Sequence, residues 1–239
     1  MTGIIPLKKE ENMTSFLAVK RVRGIVGEKK CGHTGTLDPM ATGVLPVALG
    51  GATRFIELLP THKKAYKASF RLGLVTDTLD IWGTVTEESG KTVPFEKITE
   101  ILPQFMGKIK QVPPMYSALK KDGVRLYELA RQGVEVEREE RECEIFKLEI
   151  EKLSENEFSL YTECSSGTYI RSLCQDIGEF LGCGATLAEL DRTATSGFSL
   201  ADCINLEDLT EDDYKYKFKQ IIKQLDVDNK WTDYINDLK

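Results

Sequence analysis

The order in which strand-like and helix-like segments follow one another constrains the fold of this chain more than any single motif. An amphipathic helix pattern begins after Thr14 and Ser15 and ends at Gly27, and its apolar residues, predicted to face the core, are Phe16, Leu17, Val19, Val22, Ile25 and Val26. Residues 66–72 then alternate between apolar and polar, as a half-buried strand does. Later segments mix both patterns without the regular strand–helix–strand alternation of parallel sheets. The sequence therefore predicts an α+β fold with a mixed, largely antiparallel sheet flanked by helices.

The remaining elements are predicted from periodicity and from glycine and proline. Pro113-Pro114 forbids helix and forces an extended path. In chain order we predict a strand at 84–87, a helix at 95–106, a short helix ending at Gly133, an exposed strand at 134–152, a strand at 158–164, and a helix capped by Ser165 or Ser166 and ended by Gly182. No repeat or low-complexity linker divides the 239 residues, which suit one large domain with or without a small appendage.

Charge is distributed unevenly along the chain, although the net charge is −6. Residues 20–71 carry ten Lys and Arg against three acids, whereas residues 201–239 carry ten acids against six lysines. Taken alone, the net charge argues mildly against a nucleic-acid partner, but the distribution of charge matters more than the sum. The basic region is therefore a candidate binding surface for nucleic acid, and the alternative is a solvated face that only keeps the protein soluble.

Several classes of protein are excluded by composition. No apolar run approaches the roughly 20 residues that span a bilayer, and the start of the chain is not a signal peptide. The six cysteines form no C-x-x-C pair, and two histidines cannot complete the usual zinc patterns. We therefore expect reduced thiols, a cytoplasmic location, no membrane, no metal, and a monomer by default.

A solitary carboxylate marks the most unusual segment, GHTGTLDPMATGVLPVALG at residues 32–50. Asp38 stands there between Leu37 and Pro39 with no second acid nearby. Glycosidase chemistry would require a partner carboxylate, and a metal site would require more ligands. The segment therefore indicates chemistry that one carboxylate can start alone.

Several stretches together resemble the TruB family, the bacterial tRNA pseudouridine-55 synthases. The resemblance runs from about Gly3 to Leu200 and includes the 32–50 segment, KKAYKASFRLG, TDTLDIWG, QVPPMYSALKKDGVRLYELARQG and SSGTYIRSLCQDIGEFLGCGATLAELDRTATSGF. It implies a pseudouridine-synthase catalytic domain over residues 1–200 with an RNA-binding insertion at about 111–140. The family normally ends in an RNA-binding appendage of the PUA type, but residues 201–239 are few and acidic, so we expect a short acidic extension without a full PUA domain.

The activity that the resemblance implies is isomerisation of the T-loop uridine of tRNA, position 55, without metal or cofactor. Asp38 would start the reaction, either as a nucleophile or by removing a sugar proton. Arg171 would hold that carboxylate, and Tyr66 would stack on the uracil. Lys9 matches the lysine of the family's opening motif and would bind the substrate, although the following proline and glycine are absent here.

Substrate binding is expected from side chains around these residues. Leu190 would seal the pocket, and His33 would help to occupy the space that the flipped nucleotide leaves. The phosphates of the T arm would contact cations of the basic region: Lys20, Arg21, Arg23, Lys29, Lys30, Lys63, Lys64 and Lys67. Lys120, Arg125 and Arg131 on the insertion would add a second grip.

Other functions fit parts of the sequence. The chain could be an RNA-folding chaperone, could modify a hairpin of ribosomal or messenger RNA, or could hydrolyse sugars, although a second acid for hydrolysis is missing. Asp77 and Asp80 could form a metal pair, but two carboxylates without further ligands favour a role in stabilising a turn.

Overall fold

The structure is a computed structural model that describes residues 2–59 and 63–210. Its strands are β1 (Thr2–Lys9), β2 (Cys31–His33), β3 (Thr42–Gly50), β4 (Lys63–Leu72), β5 (Leu74–Thr76), β6 (Val85–Glu88), β7 (Gly107–Gln111), β8 (Lys120–Lys121), β9 (Val124–Arg125), β10 (Arg141–Lys152), β11 (Glu157–Ser165), β12 (Ala185–Thr195) and β13 (Phe198–Ser199). Its helices are α1 (Ser15–Val26), α2 (Phe95–Ile101), α3 (Leu126–Ala130) and α4 (Ile170–Phe180). No helix within the described residues is long and apolar enough to cross a membrane.

The chain divides into two compact units, Met1–Lys64 with Asp191–Lys239 (unit 1) and Ala65–Leu190 (unit 2). In unit 1, β1 pairs antiparallel with β3 along its whole length, and β2 pairs antiparallel with β3. The end of β12 runs parallel to β3, with Asp191 opposite Thr42. The core beneath these strands is apolar: Ile4, Val44, Ala48, Ala52, Leu59 and Phe198.

Unit 2 carries a sheet in which β12, β4, β11, β10 and β7 are neighbours in that order. β10 pairs antiparallel with both β11 and β7. Helix α4 buries Ile170, Leu173 and Ile177, the stripe that its sequence predicts. The α+β class and the largely antiparallel, mixed sheet are therefore confirmed.

Helix α1 has the predicted ends but not the predicted rotation. Thr14 accepts a hydrogen bond from the Leu17 amide at 3.1 Å, and Gly27 ends the helix with φ of 68°. Phe16, expected in the core, is 77% exposed, and Leu17 is also exposed. The buried stripe is Ser15, Ala18, Val22 and Val26. A serine thus takes an inward position because its hydroxyl has backbone partners there, described below.

The predicted cap of α4 is wrong. The helix begins at Ile170 with Tyr169 as N-cap, not at Ser165 or Ser166. Ser165 is the last residue of β11, and its hydroxyl accepts a hydrogen bond from the Glu144 amide at 2.9 Å. The Tyr169 amide donates instead to Gln111 Oε1 at 3.1 Å, so a side chain distant in sequence satisfies the start of the helix.

Two other predicted elements are shorter than expected. The helix predicted at 95–106 ends as α helix at Ile101 and continues as a 3-10 turn over Leu102–Phe105, where Pro103 lacks an amide hydrogen. The strand predicted at 134–152 begins only at Arg141. The final part of the predicted extension, from residue 211 on, lies outside the described residues.

Gly43 is a position where both the backbone conformation and the space exclude a side chain. It lies in β3 with φ of 103°, and an added Cβ would collide with the Arg192 carbonyl oxygen and an Asp191 carboxylate oxygen. We expect Gly43→Ala to lower the free energy of unfolding by more than about 2 kcal/mol, measured by urea denaturation. Gly24→Ala in α1 is the control, because nothing lies within 4 Å of its added Cβ. That variant should be neutral or more stable by about 0.5–1 kcal/mol, and equal stability of both variants would contradict the expectation.

Candidate active site

Asp38 lies in the loop of residues 34–41, which connects β2 to β3 in unit 1. Leu37 and Met40 are buried on either side of it, whereas Asp38 itself is half-buried. The Asp38 carbonyl accepts a hydrogen bond from the Ala41 amide at 3.1 Å, which closes a turn. Two apolar anchors and one turn therefore hold the carboxylate at the surface of the unit.

Ser15 and Lys9 fix the backbone on the two sides of Asp38. The Ser15 hydroxyl accepts from the Leu37 amide at 2.8 Å and lies 3.0 Å from the Leu37 carbonyl, to which it donates. The Lys9 ammonium is completely buried and donates to the carbonyl of Pro39 at 3.4 Å. Its other hydrogen bonds go to the carbonyls of Met13 at 2.7 Å and Glu10 at 2.8 Å. Each residue adjacent to Asp38 thus has a side-chain partner.

Arg192, fully buried at the end of β12, supplies the third support of the loop. Its Nη2 donates to the Gly35 carbonyl at 3.0 Å and its Nη1 to the Thr36 carbonyl at 3.3 Å. Its Nε donates to the Val44 carbonyl in β3 at 2.9 Å. Because one planar group bonds to both the loop and the strand after it, the loop cannot move independently of β3. We call Lys9, Ser15 and Arg192 the loop clamp.

The loop clamp also brings positive charge close to Asp38. Burial lowers the pKa of Lys9 to about 8, while the negative charge of Asp38 raises it and the charge of Arg192 lowers it. Asp38 is therefore within electrostatic reach of the Lys9 ammonium.

His33 and Lys64 lie close to the same loop. His33 ends β2, and its buried Nδ1 has no hydrogen-bond partner among the described residues. Burial, and then the charge of Arg192, lower the pKa of His33, so its ring is neutral near pH 7. A Cβ added to Gly35 would lie 3.5 Å from Lys64 Nζ, which places this ammonium beside the loop. Lys20 is exposed on α1.

Tyr66 and Leu190 belong to unit 2. Tyr66 is buried in β4, and Leu190 is buried in β12, the neighbouring strand. Both are part of the packed interior of the sheet as well as candidate pocket residues. Stacking by Tyr66 and sealing by Leu190 stay predictions.

Arg171 is not a surface arginine, since it is only 3% exposed in the first turn of α4. Its guanidinium donates to the carbonyls of Thr78 at 2.9 Å and Tyr116 at 2.8 Å. The carboxylate of Asp80 lies 3.8 Å from Arg171 Nη1. Arg171 therefore joins the TDTLDIWG turn to the segment after Pro114. Its pairing with Asp38 stays a prediction.

Asp77 and Asp80 stabilise a turn, as the sequence predicts. Asp80 Oδ1 accepts from the Thr78 hydroxyl at 2.9 Å and from the Trp82 amide at 3.1 Å. Asp77 Oδ1 accepts from the Thr84 amide at 2.8 Å. Within the described part of the chain, no group of three or more His, Cys, Asp and Glu could hold a metal ion.

The predicted insertion is a small structure of its own within unit 2. Strands β8 and β9 form a hairpin around Asp122 and Gly123, both with positive φ, and α3 follows. The guanidinium groups of Arg125 and Arg131 lie 5.8 and 5.5 Å from the centre of the Tyr127 ring. The cations predicted to grip RNA, Lys120, Arg125 and Arg131, are exposed here.

Sequence reasoning missed the contacts that support the predicted residues. In the sequence, Ser15 suggested only a position near the start of a helix, and nothing suggested that Arg192 supports the Asp38 loop. Asp80 stood within a recognised segment, but its contact with Arg171 joins residues 91 positions apart, a pairing that only the fold reveals.

Replacing Lys9 tests the loop clamp directly. Lys9→Met removes the donor to three carbonyls, and we expect the free energy of unfolding at pH 7 to fall by about 1–3 kcal/mol. The pKa of Lys9 in the folded protein, about 8, lies below the ordinary lysine value of 10.5. The unfolded chain therefore binds more protons between these values, and the parent should gain stability relative to Lys9→Met as pH rises through that window.

The control for this experiment is Lys8→Met, because Lys8 is the exposed neighbour of Lys9 on β1. Urea denaturation between pH 7 and 10.5 should find no pH-dependent difference between this control and the parent. A Lys9→Met difference that is constant over pH would contradict a lowered pKa.

Comparison with known proteins identifies the family. A family model described as TruB family pseudouridylate synthase (N terminal domain) matches residues 23–170, and one described as tRNA pseudouridylate synthase B C-terminal domain matches residues 171–227. The chain is 49% identical to tRNA pseudouridine synthase B of Clostridium perfringens over 234 residues, which are 97% of this chain and 80% of that protein. It is 51% identical to the protein of that name from Geotalea uraniireducens, over 87% of this chain and 67% of the relative.

Solved structures agree with this relationship. The chain resembles a chain of a Cbf5–Nop10–Gar1 complex with a TM-score of 0.69 and 33% identity, over 87% of this chain and 53% of that one. It resembles a chain of an H/ACA RNP bound to a substrate RNA containing 2′-deoxyuridine with a TM-score of 0.65 and 30% identity, over 87% of this chain and 52% of the other. The chain thus spans about half the length of these structural relatives. By sequence and by structure, it belongs to the TruB family of pseudouridylate synthases.

Proposed function

We propose that this chain converts a uridine in the T arm of tRNA, at position 55, into pseudouridine, with Asp38 as the group that starts the reaction. The observation that carries the proposal is the placement of a single acid between two residues whose backbones are held by buried side chains of the loop clamp. Such support fixes a reacting group in one orientation before the substrate arrives. The relatives named tRNA pseudouridine synthase B, which are 49% identical to this chain, act on tRNA according to that name.

The chemistry needs only one carboxylate. The bond between N1 of uracil and C1′ of ribose breaks, a bond between C5 and C1′ forms, the proton on C5 leaves, and N1 takes up a proton. Atoms and electrons balance within one nucleotide. Asp38 can attack as a nucleophile or can remove a sugar proton, and both routes return it unchanged.

The other predicted residues take roles that suit their chemistry. Tyr66 offers a ring to the uracil and a hydroxyl near C5, and Leu190 offers apolar surface that excludes water. Arg171 would orient the Asp38 carboxylate through its guanidinium. His33, neutral near pH 7, can enter the space of the flipped nucleotide without the penalty of a buried charge.

Binding would come from cations near the loop and on α1, with the half-buried Lys64 beside the loop and the exposed Lys20 on α1 as the first phosphate contacts. Lys9 differs from these two, because its hydrogen bonds go to three backbone carbonyls. We therefore assign Lys9 an indirect influence on the substrate, through the position of the loop. The six cysteines are thiols, which suits a cytoplasmic site of tRNA modification.

Tritium release from C5-labelled uridine in a T-arm transcript tests the proposal. The parent protein should release tritium, and Asp38→Asn should release none while it binds the hairpin as tightly as the parent. Tight binding by both without release would favour an RNA chaperone. Release from hairpins of ribosomal or messenger RNA but not from the T arm would assign a different substrate, and equal release by both proteins would exclude Asp38.

Replacing Asp80 tests whether its charge supports Arg171. Asparagine keeps an oxygen that can accept from Thr78 and Trp82, so Asp80→Asn should preserve the turn but remove the charge 3.8 Å from Arg171. We expect kcat for tritium release to fall by roughly 10–100-fold with KM nearly unchanged, because the guanidinium loses its orientation. Asp77→Asn, on the exposed side of the same turn, is the control. Equal kcat for both variants would contradict this role.

A further inference from the structure

The outward side of α1 combines an aromatic ring with positive charge. Phe16, Lys20 and Arg23 are spaced four and three residues apart, so they form one stripe on the helix, and all three are exposed. Phe16 is the most exposed large apolar residue among those described. We call these residues the α1 stripe.

The direction of the α1 stripe is fixed by the opposite side of the helix. Ser15, Ala18, Val22 and Val26 are buried, and Ser15 is bonded through its hydroxyl to both backbone groups of Leu37. The helix therefore cannot rotate to bury Phe16 without breaking these bonds. The same contact ties the Phe16 end of α1 to the residue directly before Asp38.

Charge distinguishes this stripe from the next one around the helix. Arg21 and Gly24 border a shallow cavity that is also lined by Glu10 and Glu207. These acids would repel a phosphate there. Within α1 itself there is no acidic residue, so the α1 stripe presents its two cations without a negative neighbour on the helix.

We propose that the α1 stripe is a docking surface for the RNA substrate, with an unpaired base stacked on Phe16 and the adjoining phosphates against Lys20 and Arg23. The inference rests on the proposed function. An exposed phenylalanine in water gains by covering its ring, and every nucleobase has a flat face for it. Lys20 and Arg23 extend the surface by roughly 10 Å along the helix axis, at about 1.5 Å per residue.

The arrangement explains why the ring lies at the loop end of the helix. A strand that delivers a flipped uridine to Asp38 has lost stacking at that position, and its neighbouring base is exposed. Phe16 directly follows Ser15, whose hydroxyl is bonded to Leu37, so an aromatic ring at this end of α1 can replace the lost stacking partner. The cations farther along α1 meet the part of the strand where only phosphates face the protein.

Phe16→Leu tests the stacking, because it keeps apolar surface and removes the ring. We expect the Kd for a T-arm hairpin to rise by roughly 5–100-fold, with KM raised and kcat at saturating RNA little changed. Phe16→Tyr keeps the ring and should bind like the parent. Phe180→Leu is the matched control, since Phe180 is 54% exposed in unit 2 and packs edge-on against Phe105.

A double-mutant cycle identifies the base. The Kd of the parent and of Phe16→Leu is measured for hairpins with an abasic site at each unpaired loop position in turn. We expect one position at which the abasic site removes the effect of Phe16→Leu. Stacking on Phe16 would be contradicted if Phe16→Leu and Phe180→Leu had the same Kd for the hairpin. It would also be contradicted if Phe16→Leu weakened binding to every abasic hairpin by the same factor.

The same hairpin separates this inference from the proposed function. Lys20→Gln and Arg23→Gln should each lower the slope of log Kd against log salt by nearly one. If both variants keep the slope of the parent, neither Lys20 nor Arg23 contacts a phosphate. If the parent binds with a coupled loop position but releases no tritium, the proposed function fails while the docking surface stands.

Discussion

The hydrogen bonds from three buried side chains to the backbone of residues 34–41 are the constraint on which the rest of the candidate site depends. The loop has no regular secondary structure, so besides its buried Leu37 and Met40 side chains it needs side-chain partners for its backbone. Its carbonyls are partly buried and need donors. Lys9, Ser15 and Arg192 supply these donors from a strand, a helix and a second strand. Asp38 is therefore positioned by its neighbours' backbones.

The same hydrogen bonds connect the loop to secondary-structure elements that are far apart in sequence. Ser15 fixes the rotation of α1 through its hydrogen bonds to Leu37. This rotation exposes Phe16 on the same side of the helix as Lys20 and Arg23. Arg192 ties the loop to β3 through Val44, and its own strand lies parallel to β3. In unit 2, Arg171 plays a comparable part, because its guanidinium joins the turn around Thr78 to the Tyr116 segment. Buried cations that bond to carbonyls recur as the supporting device in both units.

Predictions from pattern succeeded where a local rule decides the outcome. The ends of α1 follow from Thr14 and Gly27, since a side-chain cap and a left-handed residue are local devices. The cap of α4 was wrong because Gln111 competes for the Tyr169 amide from another strand. The predicted buried face of α1 was wrong because hydrophobicity alone favours burial of Phe16 over Ser15. In the fold, the two hydrogen bonds between Ser15 and Leu37 place the serine inside instead.

The α+β class, the family and the isolation of Asp38 can all be read from the order of residues, since periodicity and motif order are properties of neighbouring residues. Which buried groups hold that acid became visible only in the folded chain. Lys9 and Pro39 are 30 residues apart, and Arg192 and Gly35 are 157 apart. No local pattern encodes such pairings, because they arise when separate strands and a helix pack and their carbonyls must find donors. Burial then sets the ionisation of Lys9 and His33, which depends on water exclusion and on charges that only the fold brings near.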